Sequence, residues 1–185
     1  MKFCCECGAP VTLCKPSGQA LERYVCDRCH RVYHHSPRLV AGCIATWEKK
    51  ILLCRRAVNP ASGLWGLPAG FVEKEERASD GAVREMLEEA DVGVVIERPY
   101  AMFHLPRNNQ VMVVFLARLL DGHLGSGAET SEARLFDETE IPWGELAFAT
   151  TRDTLKRYFE DRRSGDYGFH FAEIVPFNRA LGAAF

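Results

Sequence analysis

The apolar positions along the chain predict a β-sheet. Two runs rich in strand-forming residues, 39–47 and 50–55, are joined by the polar pair Glu48-Lys49 and predict a β-hairpin. The polar residues 107–109 predict a turn between two later strands. These further strands are predicted at the apolar segments 92–96, 101–105, 110–119 and 133–137.

Two other segments have the 3.6-residue period of amphipathic helices. In the first, an apolar stripe is formed by Val83, Met86, Leu87 and Ala90. In the second, residues 151–163, the stripe consists of Leu155, Tyr158 and Phe159. Because each helix has one apolar face, both are expected to pack on the sheet. The pattern therefore predicts an α/β fold in which helices cover a mixed sheet.

The polar face of the first helix carries three carboxylates, Glu85, Glu88 and Glu89. At the helical spacing they fall within an arc of roughly 100°. Like charges at this spacing repel, so the cluster favours a bound cation. Mg²⁺ prefers carboxylate oxygens and completes its shell with waters and substrate phosphates. The pattern predicts a divalent metal site and phosphate chemistry, and the alternative is a solvated acidic helix face.

The spacing of this segment, G-x5-E-x7-R-E-U-x-E-E-x-G-U with U aliphatic, resembles the Nudix box. The matching residues are Gly70, Glu76, Arg84, Glu85, Met86, Glu88, Glu89 and Val92. Asp91 is the departure, because the family has glycine there, where the helix ends and a left-handed backbone is common. Asp enters that region at a cost of about 1 kcal/mol. We expect a strained or shifted turn, relieved by Gly93, and retained activity.

The resemblance implies a Nudix α/β/α sandwich with a mixed sheet, and metal-dependent hydrolysis of a diphosphate in a small nucleotide substrate. It implies that Mg²⁺ or Mn²⁺ is held by the carbonyl of Gly70 with Glu85, Glu88 and Glu89. It also implies that Arg84 pairs with Glu76 and orients the helix. The general base is expected to be a box glutamate or one from the loop containing Glu129 and Glu132, with Glu132 as the candidate.

Cysteine spacing near the start of the chain predicts a second metal site, formed by Cys4, Cys7, Cys26 and Cys29. Two C-x-x-C turns present four thiolates to one tetrahedral Zn²⁺, which folds a segment too short for its own core. All four positions are filled, so this zinc is expected to be structural. The alternative is a pair of disulfides. No apolar signal segment precedes the first cysteine, which favours zinc and a cytoplasmic location.

The remaining cysteines and nearby histidines are expected to have no catalytic role. Cys43 and Cys54 lie in apolar runs and are expected to behave as small hydrophobes. Cys5 is a possible competing zinc ligand. Three histidines, His30, His34 and His35, could supplement or replace a ligand, although four thiolates already complete the shell.

Length and composition fit one large core and one small metal-stabilised module. The chain has 185 residues, of which 47% are hydrophobic. We expect a zinc ribbon at 1–35, a Nudix domain at 38–177 and a C-terminal tail at 178–185. A net charge of −2 and a pI near 6.3 give no general attraction to nucleic acid. No apolar run approaches the roughly 18 residues of a membrane span.

A ribbon together with a Nudix box resembles two groups of enzymes, the NADH pyrophosphatases and a group like the plant chloroplast FAD and ADP-ribose pyrophosphatase. The first group carries S-Q-P-W-P-F-P-x-S after the box, and nothing like it follows Val92. Residues 59–65, 67–70 and 135–148 look like the second group. This resemblance implies FAD or ADP-ribose as substrate and a homodimer.

Base recognition requires flat apolar surfaces, and three aromatic residues are candidates to supply them: Phe103, Phe115 and Phe148. Each could instead belong to the core, as could Trp65. The alternative functions are an NADH pyrophosphatase and a hydrolase of nucleoside triphosphates or RNA caps. A non-enzymatic alternative is an inactive Nudix scaffold that contacts RNA or protein through its ribbon.

Overall fold

The computed structural model describes residues 1–174. The chain divides into two compact units, residues 1–36 and residues 37 onward. The division falls at the Ser36-Pro37 pair, next to the predicted end of the ribbon. The predicted tail 178–185 and the predicted domain end at 177 lie outside the described residues.

The first unit contains a three-stranded antiparallel sheet in the order β1-β2-β3. Its strands are β1 (Val11–Cys14), β2 (Arg23–Cys26) and β3 (Val32–Tyr33). The buried core of this unit is small and consists of Cys4, Ala9 and Cys26. So few apolar residues do not stabilise a unit of this size alone, which is the situation in which a structural metal is needed.

The second unit is built on an eight-stranded sheet, in which β4, β5, β8, β9, β10 and β11 run in the order β10-β5-β4-β9-β8-β11. Short strands β6 and β7 pair with β5 and β4. The β4/β9 and β8/β11 pairs are parallel and the others antiparallel, so the sheet is mixed as predicted. The strands are β4 (Arg38–Trp47), β5 (Lys50–Arg56), β6 (Trp65–Gly66), β7 (Ala69–Phe71), β8 (Val94–Leu105), β9 (Gln110–Leu119), β10 (Thr130–Phe136) and β11 (His170–Glu173).

Two helices, α1 (Ala78–Ala90) and α2 (Ala149–Ser164), pack on opposite faces of this sheet. Successive residues of a strand point to opposite faces. Cys43 accordingly packs in the cluster that contains Met86 of α1, and Ile44 packs with Leu155 of α2. The α/β/α sandwich expected from the sequence is confirmed.

The strand pairing agrees with the predicted hairpin, because Trp47 lies opposite Lys50 at the β4/β5 turn. The predicted strands 92–96 and 101–105 are one continuous strand, β8. Its register shifts on both sides of Pro99, which has no N–H to donate to a ladder. The sequence did not predict β11, whose four residues carry no clear alternation.

Asp91 ends α1 in the left-handed conformation, with φ 52° and ψ 42°. Its backbone N–H donates to the carbonyl of Leu87 at 3.0 Å. The positive φ that the family gives to glycine is therefore taken by Asp91 itself. The turn is therefore strained at Asp91, which is one of the two expected forms, and Gly93, which has no positive φ, does not relieve it.

Among the described residues, no helix combines the length and the apolar character needed to cross a membrane.

Candidate active site and zinc site

Strand β7 places Gly70 directly against the acidic face of α1. Gly70 lies opposite Ala41 of β4, in a short antiparallel pair. A Cβ atom at Gly70 would overlap the carboxylate of Glu85. Only a residue without a side chain leaves room for this carboxylate, and the site therefore requires glycine here.

Arg84 forms hydrogen bonds that connect the acidic face of the helix to the loop before it. Its Nε donates to Glu76 at 3.0 Å, and its Nη2 donates to the carbonyl of Phe71 at 2.9 Å. Its Nη1 donates to Glu85 at 2.7 Å and to Glu88 at 2.9 Å. The hydrogen bond from Arg84 holds the pKa of Glu76 below its usual value. The pairing of Arg84 with Glu76 that the resemblance implied is present, and the same guanidinium also contacts two box carboxylates.

Glu89 lies deeper than the other box carboxylates. Burial raises the pKa of Glu89 to about 7, although the backbone N–H of Ala69, 3.4 Å away, acts in the opposite direction. Burial also raises the pKa of Glu85, against the opposing effect of Arg84. Carboxylates that are costly to ionise favour a nearby cation, which would stabilise their charged form.

These side chains line a cavity of about 660 Å³, here called the acidic cavity. It presents five carboxylates against the guanidinium groups of Arg56 and Arg84, and the carboxylates are Glu73, Glu85, Glu88, Glu89 and Glu129. Clustered hard oxygen ligands fit Mg²⁺ or Mn²⁺ in chemistry. Two of the three box carboxylates, Glu85 and Glu88, each accept a hydrogen bond from the same Nη1 atom of Arg84.

Glu129 enters the acidic cavity because its loop crosses the end of α1. A Cβ atom at Gly127 would overlap the carbonyl of Glu88, and the Gly127 N–H donates to the carbonyl of Glu89 at 3.1 Å. The structure does not bring Glu132 to this cavity. Its carboxylate lies on β10, 3.8 Å from the guanidinium of Arg55, and the sequence choice of Glu132 over Glu129 is corrected.

A second cavity of about 540 Å³, here called the nucleotide cavity, adjoins the acidic cavity. The two share five lining residues, which are Arg56, Ala69, Gly70, Phe71 and Glu89. Apolar side chains of Val40, Leu67, Leu105, Met112 and Ile174 form much of the remaining wall. Phe148 also lines the nucleotide cavity, with the guanidinium of Arg56 5.4 Å from its ring centre.

The other two aromatic candidates lie in the core. Phe103 is fully buried on the α2 side of the sheet, and Phe115 is buried beneath α1. Neither has a surface on which a base could stack, so their assignment to substrate binding is corrected. Trp65 is also buried and packs edge-on against Phe136. Phe71, which the sequence analysis did not single out, is the exposed aromatic residue shared by both cavities.

The four predicted zinc ligands meet at one point in the first unit. The sulfur atoms of Cys4, Cys7, Cys26 and Cys29 all lie within 4.8 Å of one another. Cys4 and Cys29 are 3.7 Å apart, and Cys7 and Cys26 are 3.5 Å apart. Zn–S bonds of about 2.3 Å in a tetrahedron require sulfur separations of about 3.8 Å. The residues therefore fit zinc, and all eight cysteines are free of disulfides.

Neighbouring groups stabilise thiolates at this site. The hydroxyl of Tyr33 lies 2.9 Å from the sulfur of Cys4, and this hydrogen bond lowers the pKa of Cys4 to about 6. Backbone N–H groups of Arg28 and Cys29 donate to the sulfur of Cys26 at 3.4 Å. The alternative ligands considered from the sequence, Cys5, His30, His34 and His35, are not among the four clustered residues.

Cys43 and Cys54 behave as the sequence predicted. Both are buried, and burial raises the pKa of each thiol to about 12. Such thiols stay protonated at neutral pH and do not act as nucleophiles.

The α/β/α sandwich, with an acidic helix face beside a partly apolar cavity, fits a phosphoric anhydride hydrolase. The family model of the NUDIX domain matches residues 36–159, and the chain belongs to this family as a pyrophosphohydrolase. A second family model, a zinc ribbon described as Nudix N-terminal, matches residues 2–34.

Known relatives support this assignment. A NUDIX hydrolase from Nitrosomonas europaea has a crystal structure that superposes with a TM-score of 0.92 at 48% identity, over 94% of this chain and 99% of that one. An ADP-ribose pyrophosphatase from Methanocaldococcus jannaschii is 33% identical over 64% of this chain and 71% of its own length. The NAD-capped RNA hydrolase NudC of Chromobacterium violaceum is 29% identical over 76% of this chain. The match spans about half of that relative's length, 52%.

Proposed function

We propose that the protein hydrolyses the diphosphate linkage of FAD or ADP-ribose and releases two monophosphates. The observation that carries this proposal is the junction of the two cavities. A partly apolar cavity large enough for a nucleoside opens directly into a cavity lined by carboxylates, and Arg56 and Glu89 line both. A substrate with a nucleoside on one side and a diphosphate beside it matches this arrangement.

Within this proposal, Arg56 binds the diphosphate where the cavities meet. Its guanidinium is held by the carbonyl of Pro60 at 2.9 Å and has no carboxylate partner among the described residues. Glu85, Glu88 and Glu89, with the carbonyl of Gly70, would hold the divalent ion. Such an ion neutralises charge on the diphosphate and makes a bound water more nucleophilic.

Glu129 is the proposed general base, because it lines the acidic cavity with the box carboxylates and makes no ion pair within residues 1–174. Arg84 is a positioning residue. It fixes Glu76 and the loop carbonyl of Phe71, and it keeps Glu85 and Glu88 extended into the cavity. The zinc ion proposed at the four cysteines is structural, because its tetrahedral shell is complete without a water.

The choice of substrate rests on two independent supports. The relative from M. jannaschii is named an ADP-ribose pyrophosphatase. The FAD assignment rests on the resemblance of segments 59–65, 67–70 and 135–148 to the plant enzyme group. The NudC relative makes hydrolysis of NAD(H) or of an NAD cap the second candidate.

Product analysis distinguishes these substrates. The full chain, loaded with zinc and supplied with Mg²⁺, is assayed with FAD, ADP-ribose, NADH, GTP and capped RNA. We expect FAD or ADP-ribose to have the highest kcat/KM, with AMP as one product. Higher kcat/KM for NADH, GTP or capped RNA would replace the substrate assignment, and turnover of none would favour a binding module.

A homodimer and a cytoplasmic location are also proposed, both from the resemblance and the expected reducing environment of the thiols. Light scattering measures the oligomeric state. If a partner subunit completes the site, dilution below the dimer dissociation constant lowers specific activity, whereas unchanged activity in a demonstrated monomer shows that each chain builds its own site.

A further inference from the structure

One end of the nucleotide cavity is lined by polar side chains from outside the Nudix box. Arg38, Asn108 and Gln110 line this end, where the starts of β4 and β9 lie side by side with Arg38 opposite Gln110. On the same strand, Gly42 lies opposite Ala69, whose N–H contacts the box residue Glu89. Arg38 and Gly42 are four residues apart, which is about 13 Å along a strand. Strand β4 therefore connects the polar end to the box, and Val40, two residues after Arg38, lies opposite the box-segment residue Phe71.

The polar side chains at this end have donors and acceptors available for a ligand. Within the described part of the chain, the side-chain amides of Asn108 and Gln110 make no hydrogen bond. The guanidinium of Arg38 has no carboxylate partner there either, and it stacks 4.0 Å from the ring centre of Phe71. This pair forms a flat wall, and Gln110 is half-buried beside it.

An amide side chain offers a donor and an acceptor next to each other. On its N6/N7 edge adenine presents the complementary pair, an exocyclic amino donor beside the N7 acceptor, and a bidentate amide contact of this kind discriminates between bases. Hypoxanthine replaces the amino group with a carbonyl. On the edge that contains N7 it therefore offers two acceptors, while its size and stacking surface are close to those of adenine.

We infer that Asn108 and Gln110 read the edge of the base and select adenine over 6-oxopurines, while Phe71 and Arg38 form the wall on which the base stacks. The inference rests on the proposed function in placing the nucleoside in this cavity. Specificity for the base then comes from Asn108 in the β8–β9 connection and from Gln110 at the start of β9.

The test measures binding of AMP and of IMP, its 6-oxo analogue, to the full zinc-loaded chain by titration calorimetry with Mg²⁺ present. Neither ligand contains a diphosphate, so binding is measured without turnover. We expect the wild-type protein to bind AMP about tenfold more tightly than IMP. Gln110→Leu and Asn108→Ala should each reduce this ratio by several fold.

Arg107→Gln is the matched control, because Arg107 lies in the same connection and does not line the cavity. It should keep the wild-type ratio, and thermal unfolding of each variant verifies that the fold is intact. Equal affinity of the wild-type protein for AMP and IMP, no measurable AMP binding, or a ratio retained in both amide variants would overturn the inference.

The hydrolysis assay with FAD and ADP-ribose tests the proposed function separately. Cleavage of ADP-ribose without discrimination between AMP and IMP removes the inference and leaves the proposed function standing. Selective AMP binding without cleavage of FAD or ADP-ribose overturns the proposed function and leaves the inference about the base standing.

Discussion

The carboxylate of Glu85 lies against the backbone of Gly70, at a distance that leaves no space for a Cβ atom. The contact joins β7 to α1 and fixes one box carboxylate next to the Gly70 carbonyl, which is a proposed metal ligand. A methyl group at Gly70 would push Glu85 outward without removing any charged group of the site. A substitution at Gly70 therefore tests the geometry of the proposed metal site without changing its charge.

We predict that Gly70→Ala lowers Mg²⁺ affinity and reduces kcat/KM by at least about tenfold, because displacement of a ligand by an ångström is costly in a metal site. Mg²⁺ titration of the initial rate measures both effects. Gly144→Ala is the control, since a Cβ atom at Gly144 meets nothing within 4 Å. Equal Mg²⁺ dependence in the two variants would show that the Gly70 contact plays no part in metal binding.

Glu89→Gln is predicted to lower turnover by orders of magnitude and to stabilise the metal-free protein. The folded pKa of about 7 lies above the value of about 4.3 for an unfolded Glu. The folded state therefore holds the proton more tightly, and its stability falls as the pH rises from about 4 to about 7. Removing the charge should raise the free energy of unfolding by up to about 3.5 kcal/mol above pH 7, with a declining gain toward pH 4.5.

Glu88→Gln provides the comparison for stability, because Glu88 is exposed. It should lose turnover in the same way but gain no comparable stability. Urea unfolding of the metal-free proteins at pH 5 and pH 8 measures the difference. A Glu89 variant with unchanged stability at pH 8, or either variant with full turnover, contradicts the assignment.

We predict that the protein binds one zinc ion per chain and that the ribbon unfolds when the metal is removed. Cys26→Ser should abolish stoichiometric zinc binding, because the buried Cys26 supplies one of four clustered sulfurs. Cys5→Ser should retain the zinc, since Cys5 is exposed and lies outside the cluster. Elemental analysis of the purified variants decides between these outcomes, and disulfides in a metal-free wild-type chain would refute the site.

The parts of this structure that the sequence predicted are those set by local periodicity. The positions of Glu85, Glu88 and Glu89 follow from helical spacing alone, as does the face that Met86 presents to the sheet. The choice between Glu129 and Glu132 was not predictable in this way. It depends on Gly127 crossing the end of α1, a contact between segments almost forty residues apart.

Aromatic and amide contacts to the cavities were missed for the same reason. Alternation along a strand shows that Phe103 and Phe115 each face one side of the sheet, but it does not show which side is open. Arg38 and Gln110 become neighbours through parallel pairing of strands distant in sequence. No linear pattern marks such a pair before the sheet order is known.

Asp91→Gly is predicted to stabilise the protein by about 1 kcal/mol without changing its activity. Asp91 holds φ at 52° where α1 ends, a conformation that is strained for a residue with a Cβ atom and unstrained for glycine. Glycine also has more freedom in the unfolded chain, which reduces the gain to about that size. Urea unfolding of the zinc-loaded full chain measures it.

Asp91→Ala is the matched variant, because it removes the carboxylate and keeps the Cβ atom. It should be no more stable than the wild-type protein, since alanine enters the left-handed region less readily than aspartate does. Stabilisation by alanine equal to that by glycine would show that the carboxylate, and not the backbone conformation, is the source of strain at this helix end. Steady-state turnover of both variants should match the wild-type value, because the side chain of Asp91 lines neither cavity.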